Sequence, residues 1–274
     1  MKQILKKFSA TVGLFVFLFL LAAIPGSKAD AATLKVSGKV ETVGPITATE
    51  SGEWHKLTMK KSGYIYITAL CAYQDAAPSW NPCDITVYNS NRKSRLSDVT
   101  YTNFESSINS QVQHLYALKA GTYYIKVKMR SAVLTGYAAD GSMITAPNKY
   151  AIISQVKYLT ESKTGSTKKK AVAMKLGSTK QGILALTDAR SSKNGSAGDW
   201  YKFTLSKKTK VKLTVSGEST KKIQILAIGA TTLTKLQSLL DGKTTTLPKG
   251  TYYIRLYKTT KTDSGWYRLK LVKK

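Results

Sequence analysis

The sequence predicts an all-β protein: two tandem antiparallel β-sandwich domains, jelly-roll-like, behind a signal peptide. Three observations carry this expectation. Apolar residues alternate with polar ones at a period of two, as in Lys210 to Val215 (K-V-K-L-T-V), Thr251 to Leu256 (T-Y-Y-I-R-L) and Trp266 to Val272 (W-Y-R-L-K-L-V). Gly, Ser, Lys and Asn clusters bound these runs, the pattern of strands with one wet face. One unit also occurs twice, in the same internal order.

The elements follow from the N-terminus. Met1 to Lys7 carries three Lys, and Phe8 to Ile24 then runs for 17 residues without a charge before Pro25-Gly26. Small residues at Ser27-Lys28-Ala29 and Ala29-Asp30-Ala31 provide sites for a signal peptidase. An uncleaved anchor is the competing reading, although 17 residues is short for a bilayer. Cleavage after Ala31 makes 1–31 the signal peptide. It leaves 39 basic and 14 acidic residues, a mature charge of +25. No later segment is apolar and long enough to span a membrane, and neither a sorting motif nor a lipobox Cys is evident.

The first sandwich is expected over 32–159 and the second over 171–274. Gly52-Glu53-Trp54-His55-Lys56-Leu57-Thr58 matches Gly198-Asp199-Trp200-Tyr201-Lys202-Phe203-Thr204. Leu118 to Val127 (L-K-A-G-T-Y-Y-I-K-V) matches Leu247 to Leu256 (L-P-K-G-T-Y-Y-I-R-L), and Tyr150-Ala151-Ile152 matches Tyr267-Arg268-Leu269. The offset shrinks from 146 to 117, so the first copy carries about 29 extra residues, placed in loops near 71–83 and 131–148. Thr160 to Lys170 (TESKTGSTKKK) lacks apolar residues and reads as a linker. Only Thr231 to Leu240 suits a helical turn or two.

Taken together, these matches resemble the bacterial pre-peptidase C-terminal domain, similar in fold to the collagen-binding modules of clostridial collagenases. The carriers are Asp199, Trp200, Phe203, Gly250, Thr251, Tyr252, Tyr253 and Tyr267. In the first copy they are Trp54, Leu57, Gly121, Thr122, Tyr123, Tyr124 and Tyr150. The resemblance implies an exported accessory module that is not itself catalytic, usually beside a hydrolase; here no peptidase domain is attached. It also raises calcium, which the collagen-binding relatives hold through acidic residues near the domain start. The matching stretches hold only Glu41, Glu50 and Glu53, and Asp188 and Asp199. Calcium needs six to eight oxygens, so the expectation is no cofactor and no metal.

Chemistry has few candidates. Cys71 and Cys83 flank a loop in an exported chain and are expected to form a disulfide. His55 and His114 are the only imidazoles, and His55 alternates with Leu57 and Met59 on a core face. With no G-x-S-x-G and no H-E-x-x-H, no enzyme is predicted.

The strand faces offer more. Alternation places Trp200 and Lys202 opposite Tyr201 and Phe203, Tyr253, Arg255 and Tyr257 opposite Tyr252 and Ile254, and Trp266, Arg268 and Lys270 opposite Tyr267 and Leu269. These eight outward residues are the expected ligand site. Tyr124, Lys126, Lys128 and Arg130, with Trp54 and Lys56, form a comparable row in the first copy. Rings that stack on sugars beside cations that pair with phosphate or carboxylate fit an anionic polysaccharide or a teichoic-acid-like polymer. The alternative is that the rings pack under loops and the cations solvate the strands. Whether the rows share one face is open at this stage.

The sequence thus reads as a secreted basic binding protein, wall-associated by charge in a Gram-positive bacterium, with an accessory or structural partner of a secreted hydrolase or surface assembly as the alternative. Nucleic acid is expected to bind only nonspecifically, through net charge.

Overall fold

A computed structural model describes residues 33–47, 51–72, 83–101, 114–129, 133–146, 149–219, 223–229, 236–240 and 242–274. The expected signal peptide, the Cys71–Cys83 loop at 73–82 and Arg130 lie outside the described residues, as do 231–235, the first half of the expected helical turn. Nearly all described elements are strands, and no described helix is long and apolar enough to cross a membrane.

The chain divides into two compact units. Unit 1 comprises the described parts of 1–58, 66–114 and 122–156; unit 2 comprises 59–65, 115–121 and 157–274. The first repeat supplies β1 (Thr33–Leu34), β2 (Val40–Thr47), β3 (Glu53–Met59), β4 (Gly63–Ala72), β5 (Cys83–Tyr88), β6 (Thr100–Tyr101), β7 (His114–Leu118), β8 (Gly121–Met129), β9 (Val133–Tyr137), β10 (Met143–Ala146) and β11 (Lys149–Tyr158). They form one sheet in the order β1-β3-β8-β5-β6 and a second in the order β2-β11-β4-β7, and β9 and β10 pair as a separate hairpin. That hairpin occupies the insertion foreseen near 131–148.

The second repeat supplies β12 (Val172–Ala173), β13 (Thr179–Leu184), β14 (Asp199–Leu205), β15 (Thr209–Ser219), β16 (Gln224–Gly229), the short helix α1 (Gln237–Leu240), β17 (Thr245–Leu247), β18 (Gly250–Tyr257) and β19 (Gly265–Lys273). Its sheets run β12-β14-β18-β16 and β13-β19-β15-β17. Apart from β6 and the β9–β10 hairpin, which have no counterpart among the described strands, this is the order of the first repeat, so the repeat read from the sequence is also a repeat of topology. One detail departs from the antiparallel expectation: the two-residue strands β1 and β12 pair parallel to β3 and β14. Each only reaches a sheet edge and needs no hairpin.

Period two produces the cores directly. In β14 the inward Tyr201, Phe203 and Leu205 are buried, and Ile254, Leu256, Leu213, Leu269 and Leu271 meet them from the remaining strands. In unit 1, Leu57, Ile67, Ile85, Val87, Ile125 and Val127 fill the same role at about 0–1% exposure. Burying each such side chain contributes roughly 1.5–3 kcal/mol. The glycine that opens each repeated motif is required by space. Gly198 has φ +136°, and a Cβ there would lie 2.3 Å from the Leu256 carbonyl oxygen; Gly52 has φ +79° and a Cβ would lie 3.0 Å from that of Val127.

The polar run 160–170 is held along unit 2. Ser162 N donates to the Gln181 carbonyl (2.8 Å), and Gly165 and Trp200 exchange backbone bonds at 3.2 and 2.8 Å. Gln181 N donates to Ser162 Oγ (3.0 Å).

Candidate ligand surface

The eight expected site residues fall on two different sheets. Trp200, Lys202, Tyr253, Arg255 and Tyr257 lie on the outer face of β12-β14-β18-β16, where register pairs Trp200 with Arg255 and Lys202 with Tyr253. Trp266, Arg268 and Lys270 lie on β19 in the other sheet. The question of a shared face is therefore answered: there are two.

Outward placement is corrected for three of them. Arg255 is 0% exposed, Trp200 4% and Tyr257 7%. The connection between β13 and β14 folds over this face, and Arg255 fastens it. Its Nε and Nη2 donate to the Ala197 carbonyl (3.0 and 2.6 Å), Nη1 donates to those of Ser192 (3.1 Å) and Lys193 (3.2 Å), and Nη2 also donates to Ser191 Oγ. The guanidinium lies 4.1 Å from the Tyr257 ring centroid and 5.5 Å from that of Trp200. Trp200 Nε1 donates to the Ser196 carbonyl at 2.7 Å. Ala171, Leu226, Ile228 and the half-buried Tyr253 complete a second apolar cluster beneath this cap. Alternation assigns a residue to a side of the strand but says nothing of what a loop lays over that side.

Lys258 was missed by the sequence reading. Its ammonium, with three N–H donors, lies within hydrogen-bond distance of four backbone carbonyls, of Ala185 (2.7 Å), Leu186 (2.9 Å), Lys261 and Asp263 (both 3.1 Å), tying two loops together. Burial pushes its pKa down to about 8. Lys202 is half-buried, Arg268 and Lys270 are exposed, and Trp266 stacks on Tyr64 within unit 2 at 5.5 Å and 14°.

In unit 1 the corresponding rings are partly exposed. Tyr88 of β5 lies directly opposite Tyr124 of β8. Trp54 meets them edge-on, its centroid 4.8 Å from Tyr88 and 6.4 Å from Tyr124. Arg92 extends over this group, 4.2 Å from the Tyr124 ring and 5.7 Å from Trp54, and Lys126 Nζ lies 5.0 Å from Trp54. All three rings are half-exposed and Arg92 is exposed.

The turn after β5 sets Arg92 there. Arg92 N donates to the Asn89 carbonyl and Asn89 N to that of Ser94, both at 3.1 Å; Ser94 N returns to Asn89 Oδ1 at 3.2 Å. Arg92 has φ +61°, the sole non-glycine residue with positive φ among those described. Sequence reasoning found Trp54, Tyr124 and Lys126 but missed Tyr88 and Arg92. The Asn89-Ser90-Asn91 turn was the available signal.

Behind each face lies a buried polar chain. Tyr267 OH donates to Asp199 Oδ2 (2.6 Å) and meets Tyr201 OH at 2.9 Å. Burial pushes the Asp199 carboxyl up to about 6 and the Tyr201 phenol up to about 12. In the first repeat His55 Nε2 and Tyr150 OH lie 2.6 Å apart, and burial raises the Tyr150 pKa, as does the charge of Glu53. His55 is 1% exposed.

Of the acids that the calcium expectation rests on, Glu50 lies outside the described residues. Among the described residues no three His, Cys, Asp or Glu side chains group as metal ligands, and Asp199 is committed to Tyr267. Cys83 is fully buried and no described cysteine is free, whereas the Cys71 side chain lies outside the described residues.

No protein-family model matches the chain, and no curated protein does. Among solved structures it is similar to tripeptidyl peptidase 2, with 9% identity and a TM-score of 0.36 over 88% of this chain and 24% of that one. It is also similar to the CUB1-EGF-CUB2 region of human MASP-1/3 (8% identity, TM-score 0.21, covering 86% of this chain and 99% of that one). The same region of rat MASP-1 gives 7% identity and a TM-score of 0.25, covering 88% and 99%. The chain thus spans about a quarter of the tripeptidyl peptidase. At these scores the fold rests on the chain's own strands, and the pre-peptidase C-terminal resemblance stays a sequence expectation.

Proposed function

We propose that this is a secreted, non-catalytic binding protein that attaches to anionic glycans of a cell envelope or extracellular matrix through the open face of unit 1. One observation carries the reading. Arg92 and Lys126 stand against the half-exposed rings of Trp54, Tyr88 and Tyr124, and among the described residues neither cationic head makes a hydrogen bond or ion pair.

The chemistry follows from the parts. A sugar presents C–H groups on one ring face and can lie on an aromatic side chain. Its carboxylate or phosphate then meets the Arg92 fork, whose planar donors suit bidentate pairing. Each cation–ring contact also holds the cation in place, contributing about 0.5–1 kcal/mol. Trp, Tyr and Arg are the residue types that most often dominate binding energy. Export, association with a wall through charge and the absence of catalysis complete the proposal.

Uronic-acid oligosaccharides at physiological salt test it by titration calorimetry. Trp54→Ala and Arg92→Ala should each weaken binding by about tenfold or more with an unchanged melting profile, and a neutral oligosaccharide should bind the wild type poorly. Equal binding by wild type and both variants would reject the reading. Co-purification of a secreted protein that survives 0.5 M salt, with no glycan binding, would favour an accessory role beside a hydrolase or assembly instead.

A further inference from the structure

Charge is distributed unevenly along the chain. Residues 160–274 hold 25 Lys or Arg against six Asp or Glu, a net +19. Much of a strand face in unit 2 shares this excess, and the strand register shows how.

In the β13-β19-β15-β17 sheet, Lys212 lies opposite Val272, Thr214 opposite Lys270 and Ser216 opposite Arg268. Val211, Leu213, Leu269 and Leu271 point into the core, so these partners all face outward. Lys210, two residues before Lys212, lies on the same side opposite Thr246. Successive outward residues on a strand are about 7 Å apart. The cations therefore climb the face one step at a time: Lys210, then Lys212 on β15, then Lys270 and Arg268 on β19. Four levels carry four positive charges in a file of roughly 20 Å.

Among the described residues no carboxylate makes an ion pair with this file. Lys210, Arg268 and Lys270 are exposed and Lys212 half-exposed, and among the described residues the three Lys ammonium groups make no hydrogen bond or ion pair. Arg268 gives one N–H to Gln181 Oε1 at 3.2 Å. Among the described residues of these strands the first acid on the face is Glu218, one step beyond Arg268 and opposite Trp266. Thr214 and Ser216 stand across from Lys270 and Arg268 as hydroxyl donors. Among the described residues none of the outward strand positions from Lys210 to Arg268 carries a ring, and Trp266, one step beyond Arg268, is stacked on Tyr64.

We propose that Lys210, Lys212, Lys270 and Arg268 form a second anion site, distinct from the ring platform of unit 1, that takes a linear phosphodiester polymer through its phosphates alone. Three backbone bonds of an extended chain span about 3.5 Å, so phosphates separated by six bonds recur at about 7 Å, the step of the file. With no ring to stack on, the site reads neither sugar faces nor bases. A polyol-phosphate wall polymer satisfies it fully, and a single nucleic-acid strand satisfies it only through its backbone.

The test uses the full mature chain, purified poly(glycerol phosphate) and a salt series. Replacing Lys212 and Lys270 together by Gln should lower affinity by at least tenfold at low salt. It should also flatten the plot of log K against log salt by about 1.4, or 0.7 per lost cation. Uronic-acid oligosaccharide binding should not change in this variant, whereas Trp54→Ala should show the reverse pattern. Failure of this inference is thereby distinguished from failure of the unit 1 reading. An oligo-dT strand and an abasic strand of equal charge should bind alike, and both should weaken in the double variant. An unchanged salt slope, a matching loss in Trp54→Ala, or a clear preference for oligo-dT over the abasic strand would overturn the proposal.

Discussion

The outer faces of β1-β3-β8-β5-β6 and β12-β14-β18-β16 start from nearly the same residues and end differently. Trp54 corresponds to Trp200, Tyr124 to Tyr253, Lys126 to Arg255 and Lys128 to Tyr257. In unit 1 Trp54, Tyr88 and Tyr124 stay half-exposed beneath Arg92; in unit 2 Trp200 and Tyr257 are buried while Tyr253 stays half-exposed. Connection length is one cause, since β2 and β3 are joined by 48–52 but β13 and β14 by 185–198. The longer connection can lie across the face and brings carbonyls that need donors. Arg255 supplies them with a planar fork, whereas Lys126 in unit 1 rests on Trp54.

The largest effect should come from the fastening of the capped face. Arg255→Ala strips donors from three carbonyls of that connection and leaves a void where a fully buried side chain stood, and should destabilise unit 2 by about 3–5 kcal/mol in urea unfolding. A loss below 1 kcal/mol would mean that the cap does not depend on Arg255. Unit 1 offers a contrasting device, the expected Cys71–Cys83 bridge. Denatured, unreduced protein should take up no thiol label, and two labels after reduction. Removing the bridge should cost about 3 kcal/mol.

Next comes pH. Asp199 has a folded-state pKa of about 6, above its ordinary 3.8, so the folded state holds the proton more tightly. Its stabilising contribution is complete below pH 4 and lost as pH rises through 6, by up to about 3 kcal/mol. Asp199→Asn should flatten that part of the stability profile; an unaltered profile would show that another group titrates. The smallest stability change belongs to the open face: Arg92→Ala should shift unfolding by less than about 1 kcal/mol while weakening glycan binding. A large stability loss there would make Arg92 a fastening residue like Arg255.

Much of the architecture was legible because it is local. Alternation in Lys210 to Val215 and Trp266 to Val272 already separated Val211, Leu213 and Leu269 from Lys212, Arg268 and Lys270, and the three ordered matches announced the repeated topology. The candidate site was legible only in part. Trp54, Tyr124 and Lys126 could be found from a strand pattern, but Tyr88 joins them through pairing with β8, and Arg92 arrives on a turn. Trp200, Arg255 and Tyr257 looked equivalent and were not, since loop 185–198 carries no apolar signal of its cap; its bonds are made by backbone carbonyls. The polar run 160–170 escaped in the same way, docking through Ser162 and Gly165 and not through apolar side chains.

By itself, then, the chain's order of residues determined which side of each strand is apolar, where the unit repeats and how much positive charge must be carried. These depend on neighbours two residues apart and on composition. Only the tertiary structure decided which polar side stays open, that four lysines and arginines from two strands fall into one file, and that Lys258 ends among carbonyls. Those outcomes depend on cross-strand register and on loops that fold back, and both join residues far apart in the chain.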